Sequence, residues 1–375
     1  MKYIIIATDS FKHSLSSASV AHYLKSGMLE EEPSLAIEII PVADGGEGTV
    51  EALVDATEGH IINDQVTDPL GRKTKASFGI SGDKKTGFIE MAKASGLELL
   101  TENERNPLKT STFGTGELIK AVIDKGCKSI ILGIGGSATI DGGAGAMEAL
   151  GAKFFDKTGK VIYPTGGNLA EIDSYDLSGL DDRLKETQIF IASDVNNPLT
   201  GKNGAAQVYG PQKGAGQNDI YKLDKNLYHL AQIITRQKPD TITSIPGVGA
   251  AGGFPACLLA FTNAQINNGF ALIAEFLKLE KRFRNAEMII TGEGKIDAQT
   301  KYGKTPYGVA RIAKKLNKKV IAVTGSMEKE ASELVPEIFD RIIPLMEPPL
   351  DLQKALKQTP ELLTRTGKEI ATQID

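Results

Sequence analysis

Apolar residues along this chain fall in short runs that end on polar, glycine-flanked loops. Residues 3–8 (Tyr-Ile-Ile-Ile-Ala-Thr) form one such run, ending in Asp9-Ser10. Ser14 and Ser16 then offer N-caps to a helix with Val20, Ala21, Leu24 and Met28 on one face. Residues 35–42 give a second strand, followed by a Gly-rich turn and a short helix carrying Val50, Leu53 and Val54. The same alternation returns late in the chain: strand 286–291, a helix over 306–316 opened by Pro306, strand 319–324, a short strand near 341–345 and a C-terminal helical region. These strands with covering helices predict a parallel sheet. Between them, two strand-like runs within 66–92 flank Ser81-Gly82-Asp83, the signature of an antiparallel hairpin. Helix 115–124, strand 128–134, helix 142–150, a strand pair near 152–163 and an apolar run at 188–193 ending in Asp194 follow. The expected architecture is α/β in two domains. A Rossmann/flavodoxin-like parallel-sheet domain is built from 1–65 and 286–375, and a mixed α/β domain, 66–285, is inserted into it.

Composition narrows the function classes. Charges nearly balance, 47 acidic against 43 basic residues in 375, which suggests neither a nucleic-acid binder nor an acidic tail. Cys127 and Cys257 make no CxxC, zinc cage or disulfide framework, so a reducing cytoplasm is expected. No signal-peptide pattern opens the chain, and no apolar stretch reaches the ~18 residues of a membrane helix. Glycine stands out, with 40 residues clustered in blocks. Backbones that approach an anion closely need such clusters.

In parallel sheets, ligands bind beyond the carboxyl ends of the strands. Those ends here deliver Asp9-Ser10-Phe11-Lys12, then Asp44-Gly45-Gly46-Glu47-Gly48-Thr49, and Gly292-Glu293-Gly294-Lys295-Ile296-Asp297. The inserted domain adds Gly133 through Gly143, Ser193-Asp194, Gly210-Pro211-Gln212-Lys213-Gly214 and Gly247 through Gly253. Backbone amides, carboxylates and a few lysines together suit phosphoryl transfer from a nucleotide. That chemistry needs amide and Lys donors for the phosphate oxygens, a hard cation on one or two carboxylates, and a base.

Two motifs compete with that reading. Residues 298–305 match only a loose Walker A spacing, with Ala298 in place of the first glycine and too far beyond their strand, although the helix start at Thr305-Pro306 offers free amides to a phosphate. Gly133-x-Gly135-x-x-Ala138 imitates a dinucleotide fingerprint, with Asp156 about 20 residues on in the ribose-binding place. It carries the alternative of an NAD(P)-dependent dehydrogenase of a small hydroxy acid. A non-catalytic sensor of a small acid is the third class. The histidines show no ligand spacing, and no serine sits in a nucleophile elbow.

Taken in order, the blocks resemble the type I glycerate kinases. They are Asp9-Ser-Phe-Lys12 with Ser14, Pro41-Val-Ala-Asp-Gly-Gly-Glu-Gly-Thr49, Phe113-Gly-Thr-Gly-Glu117, Gly133-Ile-Gly-Gly-Ser-Ala-Thr139 with Asp141-Gly-Gly143, and Ser193-Asp-Val-Asn-Asn-Pro198. Gly210-Pro-Gln-Lys-Gly-Ala215, Gly249-Ala-Ala-Gly-Gly253 and Thr291-Gly-Glu-Gly294 with Asp297, Gln299, Thr300, Gly303, Lys304 and Pro306 complete the set. His13 replaces a frequent Gly of the family, and Ile140 a frequent Asn. The resemblance implies an ATP-dependent, Mg²⁺-requiring kinase of D-glycerate, mostly giving 2-phosphoglycerate, with a cleft between two α/β domains.

Chemistry then distributes the roles. Lys12 and Ser10 suit the glycerate carboxylate, and Asp44 with Gly45 and Gly46 its hydroxyl side. Asp194 suits the general base or a Mg²⁺ ligand, with Glu293 and Asp297 as further metal ligands. Gly135, Gly136, Ser137 and Asp141, with Gly249, Gly252 and Gly253, suit the nucleotide phosphates, helped by Lys213 and Lys304. The expected partners are small molecules, D-glycerate and ATP, with no nucleic acid or membrane, for a monomer or homodimer.

Overall fold

The computed structural model describes the chain apart from residues 1, 12–13, 44, 237–239, 298–299, 301–304, 347–351 and 375, and the side chains of 329–330 and 352–356. The chain divides into two compact units: Met1–Asp44 with Glu51–Glu58 and Phe270–Asp375, and Gly45–Val50 with Gly59–Gly269.

The first unit is built on a five-stranded, all-parallel sheet. Its strands are β1 (Tyr3–Ile6), β2 (Ala36–Ile39), β12 (Met288–Ile296), β13 (Lys319–Met327) and β14 (Arg341–Pro344), in the order β14-β13-β12-β1-β2. Continuous apolar runs are what strands covered on both faces require. Ile4 and Ile6 are fully buried with Ile290 and Val323, against Leu24 and Met28 of the Ser17–Glu31 helix and Leu363 and Ile370 of the Leu352–Ala371 helix. Ser16 caps the former helix, its hydroxyl accepting from Ser19 N.

In the second unit, β3 (His60–Thr67), β4 (Lys73–Ile80), β5 (Thr86–Glu90), β6 (Ser129–Gly133), β10 (Gln188–Ala192) and β11 (Ala264–Asn267) form a six-stranded sheet ordered β11-β10-β6-β5-β4-β3. The hairpin around Ser81-Gly82-Asp83 is there, with β4 antiparallel to β5. From β5 to β11 all pairings are parallel. A separate three-stranded antiparallel sheet holds β7 (Lys153–Phe155), β8 (Val161–Ile162) and β9 (Ser174–Asp176). The α/β class and the parallel sheet agree with the sequence reading.

Three elements differ from it. The sequence reading gives no strand at β3, a mostly exposed edge whose polar residues mask its alternation. Nor does it give the 18-residue Gln217–Ile234 helix, which buries Ile220, Leu223, Leu227 and Leu230. The strand expected to end at 291 continues as β12 through Ile296, because Glu293 and Lys295 stay in register with Thr324 and Ser326 of β13. Among the described residues no helix is long and apolar enough to cross a membrane.

Candidate active site

The carboxyl ends of β5, β6, β10 and β11 gather the loops that the sequence singles out in the second unit. Gly133, at the end of β6, lies so close to the Gly45 carbonyl that a Cβ on it would stand 2.5 Å from that oxygen. A Cβ on Gly135 would stand 3.5 Å from the Cα of the neighbouring Gly46. Val50 N donates to Glu90 Oε1 at 3.0 Å, which ties the Gly45–Val50 segment to the end of β5. Glu90 is 3% exposed and pairs with Lys93 at 3.6 Å. The sequence reading omits Glu90; its signal is an acid ending the apolar run Phe88-Ile89.

Gly135 and Gly136 are the exposed residues of this loop, and among the described residues their amides donate no hydrogen bond. Beneath them lies Lys213, 1% exposed, whose Nζ donates to Ser137 Oγ at 2.8 Å and to the Thr139 carbonyl at 2.7 Å. Burial pushes its ammonium down to about 7, and the charge of Asp141 opposes that shift. Lys213 therefore supports the loop from inside.

Asp141 has a similar place. It is fully buried, and its carboxylate accepts from Thr112 N and Oγ1 at 2.7 and 2.8 Å, Gly143 N at 3.2 Å and Gly145 N at 3.3 Å. One side chain thus serves the free amides at the starts of two helices, Phe113–Asp124 and Ala144–Ala149. Burial raises its pKa and these bonds lower it, the raising effect being the larger. Gly249, Gly252 and Gly253 are buried where loops cross. Gly249 N donates to Asn197 O at 2.9 Å, and Gly252, at φ +74°, leaves no room for a Cβ beside the Thr139 carbonyl.

Asp194 lies two residues beyond β10, exposed. Its Oδ1 accepts from Gly269 N at 2.9 Å and from the Asn268 side-chain amide, both at the end of β11. Asn268, absent from the sequence reading, orients this carboxylate. Ala192 and Gly133 are register partners at the ends of β10 and β6, so the loops that carry Asp194 and Gly135 leave adjacent strands. One strand spacing, about 4.8 Å, separates the two strands where they end.

Ser10, Glu293 and Asp297 belong to the first unit. Ser10 N bonds to Asp9 Oδ1 at 2.6 Å, and Asp9 N to Gly292 O at 2.8 Å. Thr300, fully buried, donates its hydroxyl to Glu293 Oε1 at 2.9 Å and accepts from Asp297 N at 3.1 Å. Lys12, Asp44 and Lys304 lie outside the described residues, as do Gln299 and Gly303. Among the described residues, no three His, Cys, Asp or Glu side chains are grouped to hold a metal ion.

The dinucleotide alternative fails on geometry. The turn from β6 to the Ala144–Ala149 helix spans 134–143, too long for a pyrophosphate loop. Asp156 spends its carboxylate on its own hairpin, accepting from Thr158 N at 2.8 Å and Lys160 N at 3.0 Å.

Glu148, on the Ala144–Ala149 helix, is a further perturbed acid that the sequence reading passes over. Burial, and secondarily the charge of Asp141, pushes it from 4.5 up to about 7. The folded protein keeps this proton between those values after the unfolded chain has lost it, so its contribution to stability is full below 4.5 and falls as pH rises through 7. Glu148→Gln, which cannot ionise, is therefore expected to gain in melting temperature over the wild type between pH 5 and pH 8, read by thermal melts at both.

The Glycerate kinase family model matches residues 4–375. Glycerate 2-kinase of Escherichia coli K12 is 46% identical over 98% of this chain and 97% of its own length. Glycerate kinase of Bacillus subtilis 168 is 44% identical over 99% and 97%. The crystal structure of a Salmonella typhimurium LT2 protein assigned as glycerate kinase 2 superposes with a TM-score of 0.91 at 46% identity, covering 100% of this chain and 98% of that one. An anion-ready glycine loop beside an oriented carboxylate fits that kinship, and the chain belongs to the glycerate kinase family.

Proposed function

We propose that this chain transfers the γ-phosphoryl group of ATP to the 2-hydroxyl of D-glycerate. The observation that carries the reading is that the loop presenting the Gly135 and Gly136 amides and the loop presenting the Asp194 carboxylate follow register-paired ends of the neighbouring parallel strands β6 and β10. Phosphoryl transfer asks for donors on the phosphate oxygens and an acceptor for the attacking hydroxyl's proton. Gly135 and Gly136 hold the phosphates, with Lys213 and Asp141 fixing their loop from below and Gly249, Gly252 and Gly253 packing it from the side. Asp194 takes the hydroxyl proton. Ser10 and Lys12 are assigned the glycerate carboxylate, Asp44 its hydroxyl, and Gly45 and Gly46 the close backbone approach.

The carboxylates of Asp194, Glu293 and Asp297 are the hard oxygen donors that suit Mg²⁺, and an ion held by one or two of them plus phosphate oxygens needs no protein cage. Mg²⁺ would neutralise charge on the transferring phosphates. The attack position follows the name of the Escherichia coli relative, a glycerate 2-kinase. Two buried, unpaired thiols, Cys127 and Cys257, suit a reducing compartment such as the cytoplasm.

The test is ADP formation by the purified protein with Mg-ATP, with and without D-glycerate, and ³¹P NMR of the product. Glycerate-dependent ADP and 2-phosphoglycerate are expected. No ADP above the blank from folded protein overturns the kinase reading, whereas 3-phosphoglycerate overturns only the position of attack.

A further inference from the structure

The second unit holds a cavity of about 350 Å³ that the roles above leave unused. Pro69 and Leu70 line it from the turn after β3, Phe113 from the start of the Phe113–Asp124 helix, and Tyr163 and Pro164 from the segment after β8. Glu148 and Lys109 supply its titratable groups, together with Asp68.

These walls are held without any ligand. Asp68 is committed to its own turn, accepting from Leu70 N at 2.8 Å and Arg72 N at 2.9 Å and pairing with the Arg72 guanidinium. Ser111 N bonds to Pro69 O at 3.0 Å. Asn168 braces the opposite side, donating to Tyr163 O at 2.9 Å and accepting from Thr165 N at 2.8 Å. A preformed slot loses little entropy on binding.

The remaining polar groups are unspent. Among the described residues neither the Glu148 carboxyl nor the Lys109 ammonium makes a hydrogen bond or ion pair, and the Tyr163 ring is 72% exposed. A small acid such as glycerate would need a cationic pair and would leave the apolar walls unfilled. Flat apolar walls, two aromatic rings and one carboxyl able to donate and accept at once match a purine with neighbouring donor and acceptor atoms. Adenine presents that pair as N6–H and N1.

Position agrees with this. β3 is antiparallel to β4 and β4 to β5, so β3 ends at the same sheet edge as β6. Three strand spacings, about 14 Å, separate the two strands across the sheet, and β3 runs further along it than β6. That is a span an extended nucleoside triphosphate covers, from a base in the cavity to phosphates at Gly135 and Gly136. The two places are also joined covalently: Thr112, between Ser111 and Phe113 of the cavity wall, binds the Asp141 carboxylate that organises the glycine loop.

We propose that this cavity is the nucleobase subsite for ATP, taking adenine against Tyr163 with the Glu148 carboxyl on its N1–N6 edge. The inference rests on the kinase reading and names where that reading's nucleotide is recognised. In its protonated form Glu148 donates to N1 and accepts from N6–H; once ionised it can only accept. Asp68, Lys109 and Tyr163 line the same cavity, and the charge of Asp141 adds to burial in raising the Glu148 pKa.

The experiment measures KM for ATP and for D-glycerate in wild type, Tyr163→Ala, Glu148→Ala and Glu148→Gln, from pH 6 to pH 8, with titration of adenosine alone into each protein. Tyr163→Ala is expected to raise the ATP KM about tenfold, the low end of what loss of one base–aromatic stack costs, and to leave the glycerate KM unchanged. Glu148→Ala should do likewise. The wild-type ATP KM should climb from pH 6 to pH 8, and that climb should vanish in Glu148→Gln, whose amide still donates and accepts. An active wild type with unchanged ATP KM in both alanine variants overturns the base site and leaves the kinase standing. If wild type makes no ADP, adenosine titration decides. Saturable binding lost in Tyr163→Ala keeps the base site, and absence of binding to wild type overturns it.

Discussion

Asparagine in place of Asp194 is expected to leave a folded protein whose glycerate-dependent ADP formation falls by about two to four orders of magnitude. The side chain is exposed, so the exchange should move stability by no more than about 0.5 kcal/mol. Its geometry should survive, because an amide oxygen accepts from Gly269 N and from the Asn268 side chain as the carboxylate oxygen does. The loss is the negative charge, and with it the capacity to take the hydroxyl proton or to help hold Mg²⁺. That deficit arises in the transition state, so kcat should carry the effect while the KM values for glycerate and ATP change little. Steady-state kinetics beside a thermal melt reads both. Turnover near that of wild type would remove Asp194 from the chemistry.

How much of this was visible in the sequence depends on what each residue contacts. The strands of the first unit and the hairpin at Ser81-Gly82-Asp83 announce themselves by buried apolar runs and turn residues. β3 does not, since an edge strand with exposed polar side chains lacks the alternation that a half-buried strand shows. The Gln217–Ile234 helix had its signal in Ile220, Leu223, Leu227 and Leu230, spaced for one helix face. Strand β12 runs past Gly292 because pairing with β13 outweighs the glycines' preference for a turn.

At the site, glycine blocks marked the loops, but spacing cannot tell a residue that faces a ligand from one that holds the loop. Asp141 and Lys213 read as ligand-binding groups because acids and lysines among glycines so often are; the structure buries both. Asn268 and Glu90 gave the opposite difficulty. Their roles exist only through partners far along the chain, Asp194 and Val50.

Asp141→Ala is expected to cost about 3–5 kcal/mol, through the loss of an acceptor for buried donors and of a charge that favours buried Lys213. Thr112 N, Gly143 N and Gly145 N would each lose an acceptor where water does not reach. These amides open the helices on either side of the glycine loop, so the damage falls on the segment that presents Gly135 and Gly136. For a unit of this size the melting temperature should drop by about 10 °C. Asp141→Asn keeps one acceptor oxygen but points an NH₂ at groups that themselves donate, and should fall between alanine and wild type. Differential scanning calorimetry of the three proteins makes the comparison. An alanine variant melting with the wild type would show that the two helix starts do not depend on this carboxylate. A melt lowered in the order wild type, asparagine, alanine would identify Asp141 as the pin of the loop and make its effect on activity indirect, through the placement of Gly135 and Gly136.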